Sequence, residues 1–150
     1  MEKKVLITVN SLMDSADGSS DKISFVTEGK LIKENSEYVL SYEESKITGL
    51  EGTTTTMRIG KDSVTLIRHG SIDTLMLFEV GKTHLSSYDT PYGNIMIGVT
   101  AKHLHIDIND CGGNIAVEYI LEYNRSFGGR NKLNVTISEQ KKSEGERMEQ

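Results

Sequence analysis

Tryptophan is absent from the 150-residue chain, proline occurs once (Pro91) and cysteine once (Cys111). A single cysteine rules out an intramolecular disulfide and any zinc site built on several thiolates. Basic residues are in deficit, with 17 Lys and Arg against 22 Asp and Glu and a formal net charge of -5. A surface that tracks phosphates shows the opposite balance, so neither nucleic acid nor anionic membrane is an expected partner. Long apolar runs are missing as well. Met1-Glu2-Lys3-Lys4 has the charge of a signal-peptide start, but the apolar stretch behind it, Val5 to Val9, is broken by Thr8 and followed by Asn10 and Ser11. An export signal needs about 7–15 apolar residues and a spanning helix about 18 or more. The expected compartment is the cytoplasm, where a lone thiol stays reduced.

What the chain does have is glycine, 14 residues of it, and alternation. Hydrophobic residues make up 36% and charged residues 26%, which suits one globular domain rather than a disordered chain. Val5, Ile7 and Val9 alternate with Leu6, Thr8 and Asn10. Ile23, Phe25, Thr27, Gly29 and Leu31 share one parity of a second segment; Tyr38, Leu40 and Tyr42 repeat the pattern. Thr53 to Thr56 is a run of β-branched residues that favours a pleated surface over a helix. Further alternating segments are read at Val64–Arg68, Ile72–Val80, Thr83–Tyr88, Ile95–Thr100 continuing through Ile108, Ile115–Tyr123 and Leu133–Ile137.

The breaks between these segments are short and rich in turn residues. Gly60-Lys61-Asp62, His69-Gly70, Gly81-Lys82, Pro91-Tyr92-Gly93, Cys111-Gly112-Gly113 and Gly128-Gly129 are all read as hairpin loops. Connections this short join only antiparallel neighbours. About ten strands with no helix to cover a face or an edge call for closure, since a long open sheet exposes both. Glycines inside strands, Gly29 and Gly98, suit the kinks of a curved sheet. The expected fold is therefore all-β: a single closed antiparallel meander β-barrel of about ten strands with no major helix. Residues 1–138 would form the barrel and 139–150, which lack an apolar face, a frayed tail.

Tyr42-Glu43-Glu44, Gly49-Leu50-Glu51-Gly52-Thr53-Thr54-Thr55, Arg68-His69-Gly70 and Tyr88-Asp89-Thr90-Pro91-Tyr92-Gly93 together resemble the YwiB-like family of small bacterial β-barrel proteins. The resemblance runs from the first strand to the last, with the Gly-Thr-rich strand and the Thr-Pro-Tyr-Gly turn its most specific parts. It implies a lipocalin-like (calycin-type) barrel in a bacterial cytoplasm, and no reaction.

Among residues that could carry chemistry, Arg68 stands first. It shares parity with Val64 and Leu66, which would aim a guanidinium into the barrel, where it needs a partner. Glu44, on the parity of Tyr38, Leu40 and Tyr42, is one candidate partner and Glu118 another. The six tyrosines, against three phenylalanines, suit a mouth that meets both water and a ligand. The expected ligand-binding set is Arg68, Glu44, Tyr42, Tyr88 and Tyr119, with Tyr123 also on an apolar parity. His103, His105 and Asp107 share a face opposite Leu104, Ile106 and Ile108, so they are expected in solvent, and no metal or other cofactor is expected. Cys111 has no cation in its turn to activate it. The leading expectation is a barrel that binds a small apolar or anionic molecule. A filled barrel that serves as a protein-interaction module comes second, and an enzyme using Arg68, His84 and Tyr88 last.

Overall fold

The computed structural model describes residues 2–70 and 73–140, apart from the side chains of Tyr88, Asp89 and Thr90. Alternation becomes ten strands: β1 (Glu2–Ser15), β2 (Ser20–Glu34), β3 (Glu37–Glu43), β4 (Thr53–Ile59), β5 (Val64–Gly70), β6 (Thr74–Phe78), β7 (Thr83–Thr90), β8 (Gly93–Asn109), β9 (Gly112–Tyr123) and β10 (Ser126–Glu139). They form one antiparallel sheet in the order β6-β5-β4-β3-β2-β1-β10-β9-β8-β7. Chain neighbours are sheet neighbours except β6 and β7, which end the sheet on opposite sides so that the hairpin expected at Gly81-Lys82 does not form, and the first and last strands pair with each other. Val9 lies opposite Val135 and Ile7 opposite Ile137, so two strands far apart in sequence meet through matching apolar faces.

The barrel is nearly closed. Its seam lies between β6 and β7, where a ladder is replaced by sparser links. Val80 bridges to Ala101 in parallel fashion, Gly81 N–H donates to the Ala101 carbonyl, and Ser86 Oγ donates to the Leu75 carbonyl. Phe78, fully buried, plugs the seam from within, its ring 4.7 Å from that of Tyr119.

Several glycines do a different job from the one expected. The β8–β9 turn is Asp110-Cys111, and Gly112 and Gly113 belong to β9, paired with Asn109 and Ile108. Their backbones pass so close to the neighbouring strands that a Cβ on Gly113 would lie 2.0 Å from the Asp107 carbonyl oxygen. The last hairpin turns at Asn124-Arg125, whose φ values of 50° and 70° fit a turn with two left-handed positions. Gly128 and Gly129 are strand residues of β10. The Tyr123 ring lies over Gly128, where a Cβ would come within 2.4 Å of it, and a bulge follows between Phe127 and Gly129. β6 is shorter than the expected Ile72–Val80 segment; Ile72 itself lies outside the described residues. Of the expected tail, Glu139 ends β10 and Gln140 N–H donates to the Lys4 carbonyl, while residues 141–150 lie outside the described residues.

The even–odd phase of the apolar residues changes within β8, from Ile97 and Val99 to Leu104, Ile106 and Ile108. A bulge between Ala101 and His103 absorbs the extra residue and keeps both sets facing inward. The interior is filled unevenly. Toward the β2–β3, β4–β5 and β8–β9 turns it is packed with Ile7, Leu31, Leu40, Ile59, Val64 and Ile115, all at most 1% exposed. Each such side chain stabilises the fold by roughly 1.5–3 kcal/mol relative to exposure. That end is also tied across the barrel, with the Tyr38 hydroxyl donating to Asp110 at 2.5 Å. The opposite end stays open.

Candidate functional site

A cavity of about 280 Å³ occupies the open half of the barrel. Sheet register assembles one wall. Tyr42 of β3 lies opposite Thr55 of β4, and Thr55 lies opposite Arg68 of β5. Because inward-facing positions recur every second residue, the four threonines that begin β4 send Thr53 and Thr55 inward, both fully buried. Glu44 follows β3 directly, held by its backbone N–H to the Thr53 carbonyl, and its side chain turns in to meet this row.

The Glu44 carboxylate is only 1% exposed. It accepts a short hydrogen bond from the Thr55 hydroxyl and a second, at 3.1 Å, from Thr48 in the β3–β4 loop. Arg68 Nε stands 3.9 Å away, and the Arg68 side chain is 25% exposed. The pair is thus buried on the acidic side and open to the cavity mouth on the basic side. Glu118, the other candidate partner, is excluded by position. It sits on the outward parity of β9, half-buried, opposite His103 and Lys132.

The opposite wall carries Tyr119 of β9 and its register partner Asn131 of β10. Asn131 Nδ2 donates to the Tyr119 hydroxyl at 2.8 Å. Asn131 is 4% exposed, and its Oδ1, like Arg68 Nε, is buried without a hydrogen-bond partner. Leaving a buried polar atom unpaired costs about 1–3 kcal/mol, so such atoms mark places where something else is to be satisfied. Sequence reasoning passed over Asn131, although it shares parity with the apolar residues Leu133, Val135 and Ile137. Between the walls the lining is apolar, with Phe25, Met57, Leu66, Met76, Leu121 and Leu133.

Four of the five expected site residues, Arg68, Glu44, Tyr42 and Tyr119, therefore line one cavity. Tyr88 lies on β7 opposite Ile95, and its side chain lies outside the described residues. Tyr123, 42% exposed, stands at the cavity rim. His84 is half-buried on β7, whereas His103, His105 and Cys111 are exposed. A larger groove of about 770 Å³ crosses the outer face of β1, β8, β9 and β10 past Leu12, His103 and Lys132. Two of its amides are engaged, Asn134 accepting from Asn114 and Asn10 from Ser24. Of the three buried side-chain polar atoms without a hydrogen-bond partner among the described residues, Arg68 Nε and Asn131 Oδ1 belong to residues of the cavity lining and the third, Thr53 Oγ1, to neither site.

Burial holds the hydroxyls of Tyr42 and Tyr119 neutral to higher pH than an ordinary tyrosine. For Tyr42 the Glu44 charge adds to burial and Arg68 opposes it; for Tyr119 the Asn131 hydrogen bond and Arg68 oppose it. Both folded-state values lie above the unfolded value of about 10, so the stability linked to them is present below that pH and lost as pH rises beyond it. The unfolding free energy measured in urea is expected to fall above about pH 10, by up to roughly 1.4 kcal/mol per pH unit for each group. Tyr42→Phe should flatten the fall; an equally steep decline in that variant excludes Tyr42 as a cause.

Comparison with known proteins agrees with this architecture. The chain is 24% identical over 119 residues, 79% of its own length and 81% of the relative's, to the uncharacterized β-barrel protein YwiB of Bacillus subtilis (strain 168). The crystal structure of the ywiB protein from Bacillus subtilis superposes with a TM-score of 0.79 at 20% sequence identity, covering 93% of this chain and 94% of that one. Residues 7–135 match the family described as a domain of unknown function, DUF1934. The chain belongs to this YwiB-like family of β-barrel proteins.

Proposed function

We propose that this protein binds a small amphiphilic molecule in the open half of its barrel, in the manner of a lipocalin, and performs no chemistry on it. The observation that carries the reading is the uneven interior. One half is packed to exclusion, while the other keeps about 280 Å³ lined by apolar side chains and the Arg68–Glu44 and Tyr119–Asn131 groups. Ligand sites combine a mainly apolar concavity with a few convergent polar groups, and this volume sits near the lower end of their usual ~300–1,000 Å³. The reading places the protein in the cytoplasm, consistent with an exposed, unpaired Cys111.

Native mass spectrometry of the chain purified from its own host tests this. A small-molecule adduct is expected on the wild type and none on Met76→Trp, which fills the cavity from a half-buried position on β6. A wild type without adduct, or a Met76→Trp variant that folds and keeps the same adduct, overturns it.

A further inference from the structure

We propose that the barrel cavity selects a neutral polar head, of the primary carboxamide class, over a carboxylate or an ammonium. This rests on the reading of the cavity as a ligand site and adds the class of ligand. Charge is the first argument. Glu44 and Arg68 are the two charged side chains that line the cavity among the described residues, and they face each other at 3.9 Å. The cluster is balanced before any ligand arrives. A carboxylate drawn to Arg68 would be buried beside the Glu44 carboxylate, which is already occupied by Thr48, Thr55 and Arg68. An ammonium would meet Arg68 with no free carboxylate to neutralise it. Either ion carries its full desolvation cost into a wall of Phe, Met and Leu side chains.

Hydrogen bonding is the second argument. Asn131, 4% exposed, is part of the cavity lining, and its buried Oδ1 has no hydrogen-bond partner and needs a donor. A carboxylate has none to give. A primary amide offers N–H to Asn131 and its carbonyl oxygen to the Arg68 guanidinium across the cavity. Turning the Asn131 amide over would leave its N–H₂ end unpaired instead, and a primary amide serves that arrangement too, because it carries both donors and an acceptor. Size is the third. The cavity holds about nine times the ~30 Å³ that one water occupies in the liquid, which is room for roughly ten non-hydrogen atoms. Octanamide fits that count, its chain lying against Met57, Leu66 and Met76.

The test is a methyl-detected NMR titration of the full chain at pH 7 with octanamide, octanoate and octylamine. Octanamide is expected to shift the methyl signals of Met57, Met76 and Leu66 and to bind at least tenfold more tightly than either ion. Asn131→Leu, close in volume, is expected to weaken octanamide at least fivefold and to leave octanoate within twofold. Octanoate binding as tightly as octanamide, or octanamide indifferent to Asn131→Leu, overturns the neutral-head assignment and leaves the cavity reading standing. If millimolar concentrations of all three probes leave the cavity methyls unmoved while the protein stays folded, the cavity reading falls and the head assignment with it.

Discussion

Gly29→Ala is expected to lower stability by about 3 kcal/mol, whereas Gly98→Ala should leave it unchanged or raise it by up to about 1 kcal/mol. Both glycines sit inside strands, and the sequence offers no way to rank them. Their surroundings do. A Cβ on Gly29 would lie 2.5 Å from the Ser41 carbonyl oxygen, 2.5 Å from Ile7 Cδ1 and 3.2 Å from Tyr42 Cβ. Ile7 could swing its terminal methyl aside, but the Ser41 carbonyl belongs to β3 and moves only if the β2–β3 ladder opens. Such overpacking costs about 1–3 kcal/mol and more where backbone must shift. At Gly98 the nearest atom is Leu85 Cδ2 at 3.2 Å, the far end of a half-exposed side chain. There the smaller entropy of the unfolded alanine chain prevails. Urea unfolding of the two variants decides it; equal costs would show that the close approach of β3 to Gly29 does not shape the barrel.

That contrast also shows what the sequence could carry. Period-two alternation identified the inward faces because one face of nearly every strand is apolar, and short connections left little choice but a meander. Closure was expected because no helix covers a face or an edge, while the pairing of β1 with β10 through their Val and Ile residues is seen only in the structure. Turn positions were harder. Gly-Gly pairs in a strand bulge and in a hairpin look alike in sequence, because both need a residue without Cβ. Gly112-Gly113 and Gly128-Gly129 answer to crowding by neighbouring backbone and the Tyr123 ring, while the last turn falls on Asn124-Arg125, two non-glycine residues in the left-handed region.

The site was legible where parity and charge coincided, at Arg68 and Glu44. Asn131 was hidden by its flanks, since Arg130, Asn131 and Lys132 form a polar stretch that reads as solvated surface. Only the register across β9 and β10, which sets it opposite Tyr119, turns it into part of a wall. Thr48 and Thr55 were equally silent, because a threonine becomes a carboxylate partner only when the β3–β4 loop folds over Glu44.

Arg68→Leu is expected to destabilise the protein by about 3 kcal/mol at pH 7, and Glu44→Leu in the same background to restore most of that loss. Glu44 has no route to water: its side chain is 1% exposed, and two threonine hydroxyls plus Arg68 surround it. Removing the cation leaves a buried carboxylate without compensation, a loss of about 3–5 kcal/mol in fully enclosed pairs. The value expected here lies at the lower end, because Arg68 is a quarter exposed and the open mouth admits some screening. The converse single change is milder. In Glu44→Leu the guanidinium can turn toward the mouth, so a cost of about 1–2 kcal/mol reflects mainly the stranded hydroxyls of Thr48 and Thr55. The double variant replaces a balanced ionic pair by two apolar side chains, an exchange that is close to neutral when volume is kept. With the double variant costing about 1 kcal/mol, the three variants together should give a coupling of about 3–4 kcal/mol in urea unfolding. Effects that add to within about 0.5 kcal/mol would mean that the two groups do not sense each other. The cavity would then hold an independent guanidinium and carboxylate, and the charge balance argued for its ligand would be lost.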